Sequence, residues 1–313
     1  MTQFFSTIIN VIAPILLVIG LGALWSWRFQ PDRRTISSVI IYLFAPALAL
    51  RGLINANLTG GEMFQVIGLV FGASILMALI GLAVARALGL DQREESALIL
   101  SVILFNGANY GVPFNQFAYG QNAGEIAIVY FSISTIIANT LGVYLAARST
   151  SGAASFGSIF RIPLIYTTLL GVVFNLAGVT LAQEGVPLTS MTIPLPISRV
   201  INLLADATIP AMLVLIGVQL VGSSVVGRVR PMLAAVGLRL IVSPMLAFLL
   251  AVALGMEGLM LNVGVTQLAM PTAVIASALA TQFGGDAAFV TSVILVSTLA
   301  SVITLSLLTV LLT

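Results

Sequence analysis

The chain is divided into apolar runs long enough to cross a lipid bilayer, and this division limits its possible folds more than any other feature. A spanning helix needs roughly 20 predominantly apolar residues. Runs of that kind cover 7–27, 36–54, 64–89, 96–117, 124–147, 159–180, 197–220, 231–254, 258–281 and 287–311. Lipid supplies no water to satisfy backbone N–H and C=O groups, so each run is expected to be helical. Composition agrees: 59% of the 313 residues are hydrophobic and 7% are charged, against about 25% charged in soluble domains. The expected fold class is an all-α integral membrane protein with ten transmembrane helices. The first run lacks a basic leader and a small-residue cleavage site, and reads as a retained helix.

Several chemistries are excluded by residues the chain does not contain. There is no cysteine or histidine, and all 12 basic residues are arginine. Disulfides, thiol nucleophiles, imidazole bases and the usual zinc ligands are therefore absent. Without lysine there is no Schiff base and no P-loop lysine. No cofactor and no nucleic-acid partner are expected.

Arginine placement predicts orientation, because cytoplasmic connections carry the excess of positive charge. Arg28, Arg33 and Arg34 lie between the first two runs, Arg86 and Arg93 between the third and fourth. Arg148 and Arg161 flank the fifth connection, and Arg228 and Arg230 occupy the seventh. These alternate connections are expected in the cytoplasm of a cell bounded by this inner or plasma membrane, which places both termini outside. Trp25 and Trp27 fit an interfacial aromatic belt.

The two halves of the chain echo each other. Ile36, Ser37, Val39 and Ile40 reappear as Ile197, Ser198, Val200 and Ile201. "PILLVIGLG" at 14–22 meets "PLIYTTLLG" at 163–171, and "ALGL" at 87–90 meets "ALGM" at 253–256. Glu125 and Asp286 each follow a glycine near the head of the fifth and tenth runs. The implied division is 1–147 for the first repeat, 148–158 for a cytoplasmic link and 159–313 for the second. Five spans per repeat force the second half to sit inverted, as in many secondary transporters.

Two matched runs are interrupted. The fourth contains "NGANYGVPF" (106–114) and the ninth "TQLAMPTAV" (266–274). With a small gap, Asn109 and Pro113 align with Gln267 and Pro271. Proline removes a backbone donor and frees a carbonyl one turn back, which lipid tolerates only inside protein or beside a water-filled cavity. Paired interruptions at matching positions point to a transporter's substrate site. The two helices are expected to unwind and cross near the midplane, with half-helix N-termini presenting N–H groups to an anion. Asn106, Asn109 and Gln267 would add neutral hydrogen bonds, alongside the backbone of Gly111–Pro113 and Met270–Thr272. Tyr110, Asn115 and Thr272 flank the breaks as further lining.

Ten helices in two inverted halves, with "NYGVP" in the fourth and "MPTA" in the ninth, resemble the auxin efflux carrier family, and the resemblance covers essentially the whole chain. It implies a prokaryotic member, since the long cytoplasmic loop of plant members is replaced by "RSTSGAASFGS" (148–158). It further implies a homodimer with a scaffold of spans 1, 2, 6 and 7 and a mobile unit of spans 3–5 and 8–10. Implied substrates are small organic anions, such as dicarboxylates or indole-type acids, carried by an elevator-like motion. The related bile-acid symporters share the crossed architecture and use sodium, so a sodium-coupled symporter is the alternative. An intramembrane aspartyl enzyme built on Asp206 and Asp286 is a remote one.

Four charged residues remain as candidates for coupling to a proton or sodium ion. Asp206, within "LLADATIPAML", is an intramembrane acid and so a functional candidate by default, or a hydrogen-bonded acid partnered by an arginine. Arg239, deep in the eighth run, is its expected partner. Glu125 and Asp286 sit where acids stabilise helix N-termini. Arg51 and Arg199 fall near the outer face, where arginines snorkel to headgroups. "DQREES" (91–96) reads as a solvated helix start.

Overall fold

A computed structural model describes residues 8–56, 58–148, 163–183, 189, 191–221 and 228–312. Most of the 148–158 link, Arg161 and the outermost residues of the first and sixth predicted spans lie outside the described residues. The helices are α1 (Ile8–Phe29), α2 (Arg33–Asn55), α3 (Gly60–Ala87), α4 (Gln92–Ile103), α5 (Val112–Tyr119), α6 (Gln121–Ala147), α7 (Pro163–Leu176), α8 (Leu195–Leu220), α9 (Val229–Ala253), α10 (Gly258–Leu268), α11 (Val274–Gln282) and α12 (Ala287–Leu312). Seven of these, α1, α2, α3, α6, α8, α9 and α12, are long and apolar enough to cross a membrane on their own. The fourth and ninth predicted spans are each divided, into α4 and α5 and into α10 and α11. One departure from an all-helical chain is a parallel pair, β1 (Thr180–Leu181) and β2 (Thr192–Ile193), between α7 and α8.

Polar chemistry at the helix starts follows the charges. Asp32 caps α2, and capping boxes open α3 (Thr59 with Glu62) and α4 (Asp91 with Glu94). Each satisfies N–H groups that a helix leaves without partners. The "DQREES" segment therefore starts a helix as expected.

Large apolar side chains face outward as well as inward, and several polar ones are enclosed. Phe64 is 77% exposed and Leu311 81%, whereas Asn115, Gln267, Ser132 and Thr272 are fully enclosed. Polar groups placed inside depend on partners there, because lipid offers none. Helix pairs approach through small residues. A Cβ on Gly217 would stand 2.6 Å from the backbone nitrogen of Ala23, and one on Gly22 would stand 2.9 Å from the Cα of Val214. Through these glycines α1 and α8 lie backbone to backbone, while α2 runs against α7.

The apolar interior forms two large clusters. One holds Tyr110, Val112 and Phe114 of the α5 region with Val263, Val265 and Leu268 of α10. The other holds Leu98–Leu104 of the α4 region with Ala276, Leu279 and Ala280 of α11. The divisions in both helix pairs fall on the border between these clusters, which fixes where the site is found.

Candidate functional site

The two interruptions meet. After Ile103 the chain is extended through Leu104, with a change of direction at Asn106 (φ −80°, ψ 59°), and then enters a wide helical turn at Gly107–Gly111 that continues as α5. On the other side, Ala269–Ala273 separate α10 from α11. Phe105 and Thr272 face each other as an antiparallel bridge. Asn106 N–H donates to the Pro271 carbonyl at 2.8 Å, and Ala273 N–H donates to the Leu104 carbonyl at 2.8 Å. Backbone groups released by unwinding thus satisfy one another, which is what a membrane interior requires of them.

Side chains complete the junction. The Thr272 hydroxyl donates to the Ser101 carbonyl at 2.8 Å, and Thr272 N–H donates to Ser297 Oγ of α12 at 3.2 Å. Gln267 Nε2 donates to the carbonyls of Ala127 (3.1 Å) and Gly107 (3.4 Å). The Gly107 and Gly111 surfaces are bare against this amide: a Cβ on Gly107 would stand 2.9 Å from Gln267 Oε1, and one on Gly111 would stand 2.9 Å from its Cδ. The glycines of the fourth span therefore make room for the glutamine of the ninth. Asn115 Nδ2 donates to the Gly111 carbonyl at 2.8 Å.

Arg239 of α9 is 1% exposed and closes the junction from behind. Its Nη1 donates to the Val102 carbonyl at 2.7 Å, and its Nη2 donates to Ser243 Oγ at 2.7 Å and to the Leu268 carbonyl. The Phe105 ring lies 5.7 Å from its Cζ. This corrects the expected pairing with Asp206. That acid instead accepts from Arg51 Nη1 at 2.5 Å, with 70% of its side chain uncovered by the chain. Sequence distance hid the exchange, since Arg51 and Asp206 belong to α2 and α8.

The remaining acids separate. Asp286 Oδ1 accepts from Phe289 N–H at 2.9 Å and caps the start of α12. Glu125 is not at a helix head, because α6 starts at Gln121, a turn earlier, behind the left-handed Gly120 (φ 92°).

A cavity of about 210 Å³ opens beside the junction. That is smaller than the ~300–1,000 Å³ typical of drug-sized pockets, and it suits a small ligand. Of the predicted site residues only Asn106 lines it, joined by Val274 and Ser277 of the first turn of α11, Thr291 and Thr298 of α12, and Arg33 at the start of α2. Asn106 is 5% exposed, and its side-chain amide makes no hydrogen bond among the described residues. It holds the capping position of the α5 segment without capping it. Asn109 is half-buried and does not line the cavity, nor do Tyr110, Gly111, Pro113, Asn115, Gln267, Met270, Pro271 and Thr272, all of which are buried around the junction. Ser277, Thr291 and Thr298 escaped notice in the sequence because hydroxyl residues are ordinary in membrane helices. Their one signal is spacing: Thr291 and Thr298 share a face of α12, and Ser277 follows the Pro271 break by one turn.

Apolar spanning helices around two hydrogen-bonded breaks define a polytopic membrane transporter. The chain belongs to the family described as membrane transport protein, the auxin efflux carrier type, whose model matches residues 7–156 and 153–309. It is 27% identical over 282 residues to an uncharacterized transporter of Methanothermobacter thermautotrophicus, covering 89% of this chain and 88% of the relative. It is also 23% identical over 306 residues to an uncharacterized transporter of Methanocaldococcus jannaschii, covering 95% and 96%.

Proposed function

We propose that the chain is a secondary transporter of small organic carboxylates, and that the anion binds in the cavity beneath Asn106. The observation that carries this is the Asn106 amide: on a residue 5% exposed, without a hydrogen-bond partner among the described residues, and lining a cavity shared with the first turn of α11. Two free amide hydrogens and the N–H groups of a helix start suit a carboxylate. Arg33, which also lines the cavity, adds a positive charge to the lining.

Ten spans in two inverted halves are part of the same reading, supported by how the helices pair. The first span packs on the seventh (α1 with α8) and the second on the sixth (α2 with α7), the exchange a two-fold axis between the repeats requires. In the same way α6 lies against α10 and α12 against α4. On this reading α1, α2, α7 and α8 are the scaffold of a homodimer, and the rest is the elevator-like mobile unit. The cavity lies between them, reaching Arg33 on the face assigned to the cytoplasm, with both termini on the other.

The test is uptake into proteoliposomes of radiolabelled malate, malonate and indole-3-acetate, with and without sodium, proton and voltage gradients. Saturable uptake that Asn106→Ala reduces at least tenfold, with normal assembly, is the expected result. Undiminished uptake by Asn106→Ala would falsify the site. One observation favours the sodium-coupled alternative: Gln267 Oε1 and Asn115 Oδ1 are enclosed oxygens without donors among the described residues. Strict sodium dependence in the same assay would select it.

A further inference from the structure

We propose that Arg239 is a positioning residue that sets the charge of the junction, making it attractive to anions without touching them. Val102 stands in the last turn of α4, and Leu268 is the last residue of α10. Their carbonyls belong to the negative ends of two helices, each equivalent to roughly half an elementary charge. The guanidinium donates to both. Two half-charges match one cation, which accounts for an enclosed arginine with no ion pair among the described residues. Ser243 Oγ, itself bonded to Arg239, also donates to the Leu268 carbonyl at 2.7 Å.

The consequence falls on the other two helix ends. α5 and α11 start at the junction with their positive ends, and Val274 and Ser277 of α11 line the Asn106 cavity. Without Arg239 the four ends would sum to nearly zero. With it the negative pair is cancelled and the positive pair is left to act on the cavity. Only one half of the chain supplies this charge: aligning 87–90 with 253–256 places Ala73 opposite Arg239. A single cation suffices because both carbonyl ends converge on it.

The transport readout rests on the carboxylate reading, so the experiment has two arms. In the first, uptake of malonate is compared with uptake of malonamate, which has a similar shape and one charge fewer. Arg239→Gln is expected to raise KM about tenfold for malonate and about threefold for malonamate, with Arg239→Lys restoring most of the difference. Equal losses for the two anions, or no recovery in Arg239→Lys, would overturn the proposal. The second arm needs no substrate. The chain has no cysteine, so Ser277→Cys provides a single thiol at the cavity, titrated by the pH dependence of its maleimide reaction. Arg33 also lines the cavity and is present in both backgrounds, so the difference between them reports Arg239: in the native background the thiol pKa is expected below the ~8.5 of a free cysteine, and about one unit higher once Arg239→Gln is added. A native-background pKa at or above the free value overturns the inference, even where Arg239→Gln does not assemble. If the parent chain carries neither anion, the carboxylate reading fails and the thiol alone decides Arg239.

Discussion

The Gln267 amide fills the space that a side chain on Gly111 would need, so that a Cβ there would stand 2.9 Å from Gln267 Cδ and 3.0 Å from its Nε2. This contact joins the two interruptions as surely as their backbone hydrogen bonds do. Gly111→Ala must push the amide off the carbonyls of Ala127 and Gly107. Overpacking of this kind costs about 1–3 kcal/mol. Thermal unfolding in detergent should show that loss for Gly111→Ala, and Gln267→Ala should absorb much of it when the two are combined, since residues in contact are not additive. Strictly additive losses would mean that the contact is not what keeps residue 111 a glycine.

The α1–α8 contact depends on Gly22 and Gly217, where backbone rather than a movable side chain blocks any added atom. Neither helix can give way without separating along its length. Gly22→Ala and Gly217→Ala should each destabilise the folded protein by about 1–3 kcal/mol. Gly20, with nothing within 4 Å of its would-be Cβ, is the control, and Gly20→Ala should be neutral or slightly stabilising. Detergent melting curves of the three variants settle the order.

Asp206 was a candidate proton carrier while its surroundings were unknown. The structure gives it a partner in Arg51 at 2.5 Å and leaves most of its side chain uncovered. Arg51 itself is only 19% exposed, so the pair is structural on one side and open on the other. Asp206→Asn, which keeps an oxygen for Arg51, should therefore keep the same pH dependence of uptake. Loss of that pH dependence with stability intact would return the residue to the coupling role.

The two helix breaks were legible in the sequence, and most of their contacts were not. Glycine and proline inside an apolar run advertise freed backbone groups: the break at 269–273 fell within its quoted motif, while the one at 104–106 ends on Asn106, the first residue of the other, and the rest of that motif is helical. What those groups do next depends on residues far along the chain. Arg239 reaches Val102 and Leu268, and Asp206 reaches Arg51, through tertiary packing that no local pattern encodes. Glu125 was misplaced for a local reason: Gly120 in a left-handed conformation starts α6 a turn early. Asn106 was singled out as an amide beside a break, but only the fold shows that it faces the cavity while Gln267 turns to the backbone.

The start of α2 offers a pH test outside the spans. Asp32 accepts from the Thr35 hydroxyl at 2.5 Å, Thr35 N–H at 3.1 Å and Arg34 N–H at 3.2 Å. The Thr35 hydroxyl most of all, then the two backbone N–H groups, holds the carboxyl below the usual carboxylate range. A depressed folded pKa means the fold favours the ionised form. Its contribution is therefore fully present above the unfolded value near 3.9 and is lost as pH falls through the lowered folded value. Asp32→Asn keeps an acceptor oxygen but cannot titrate. The parent should melt above Asp32→Asn at pH 7, and the gap should close as pH falls from about 5 to 3 at fixed ionic strength. A gap that stays constant over that range would show that the Asp32 carboxylate is not what holds the start of α2.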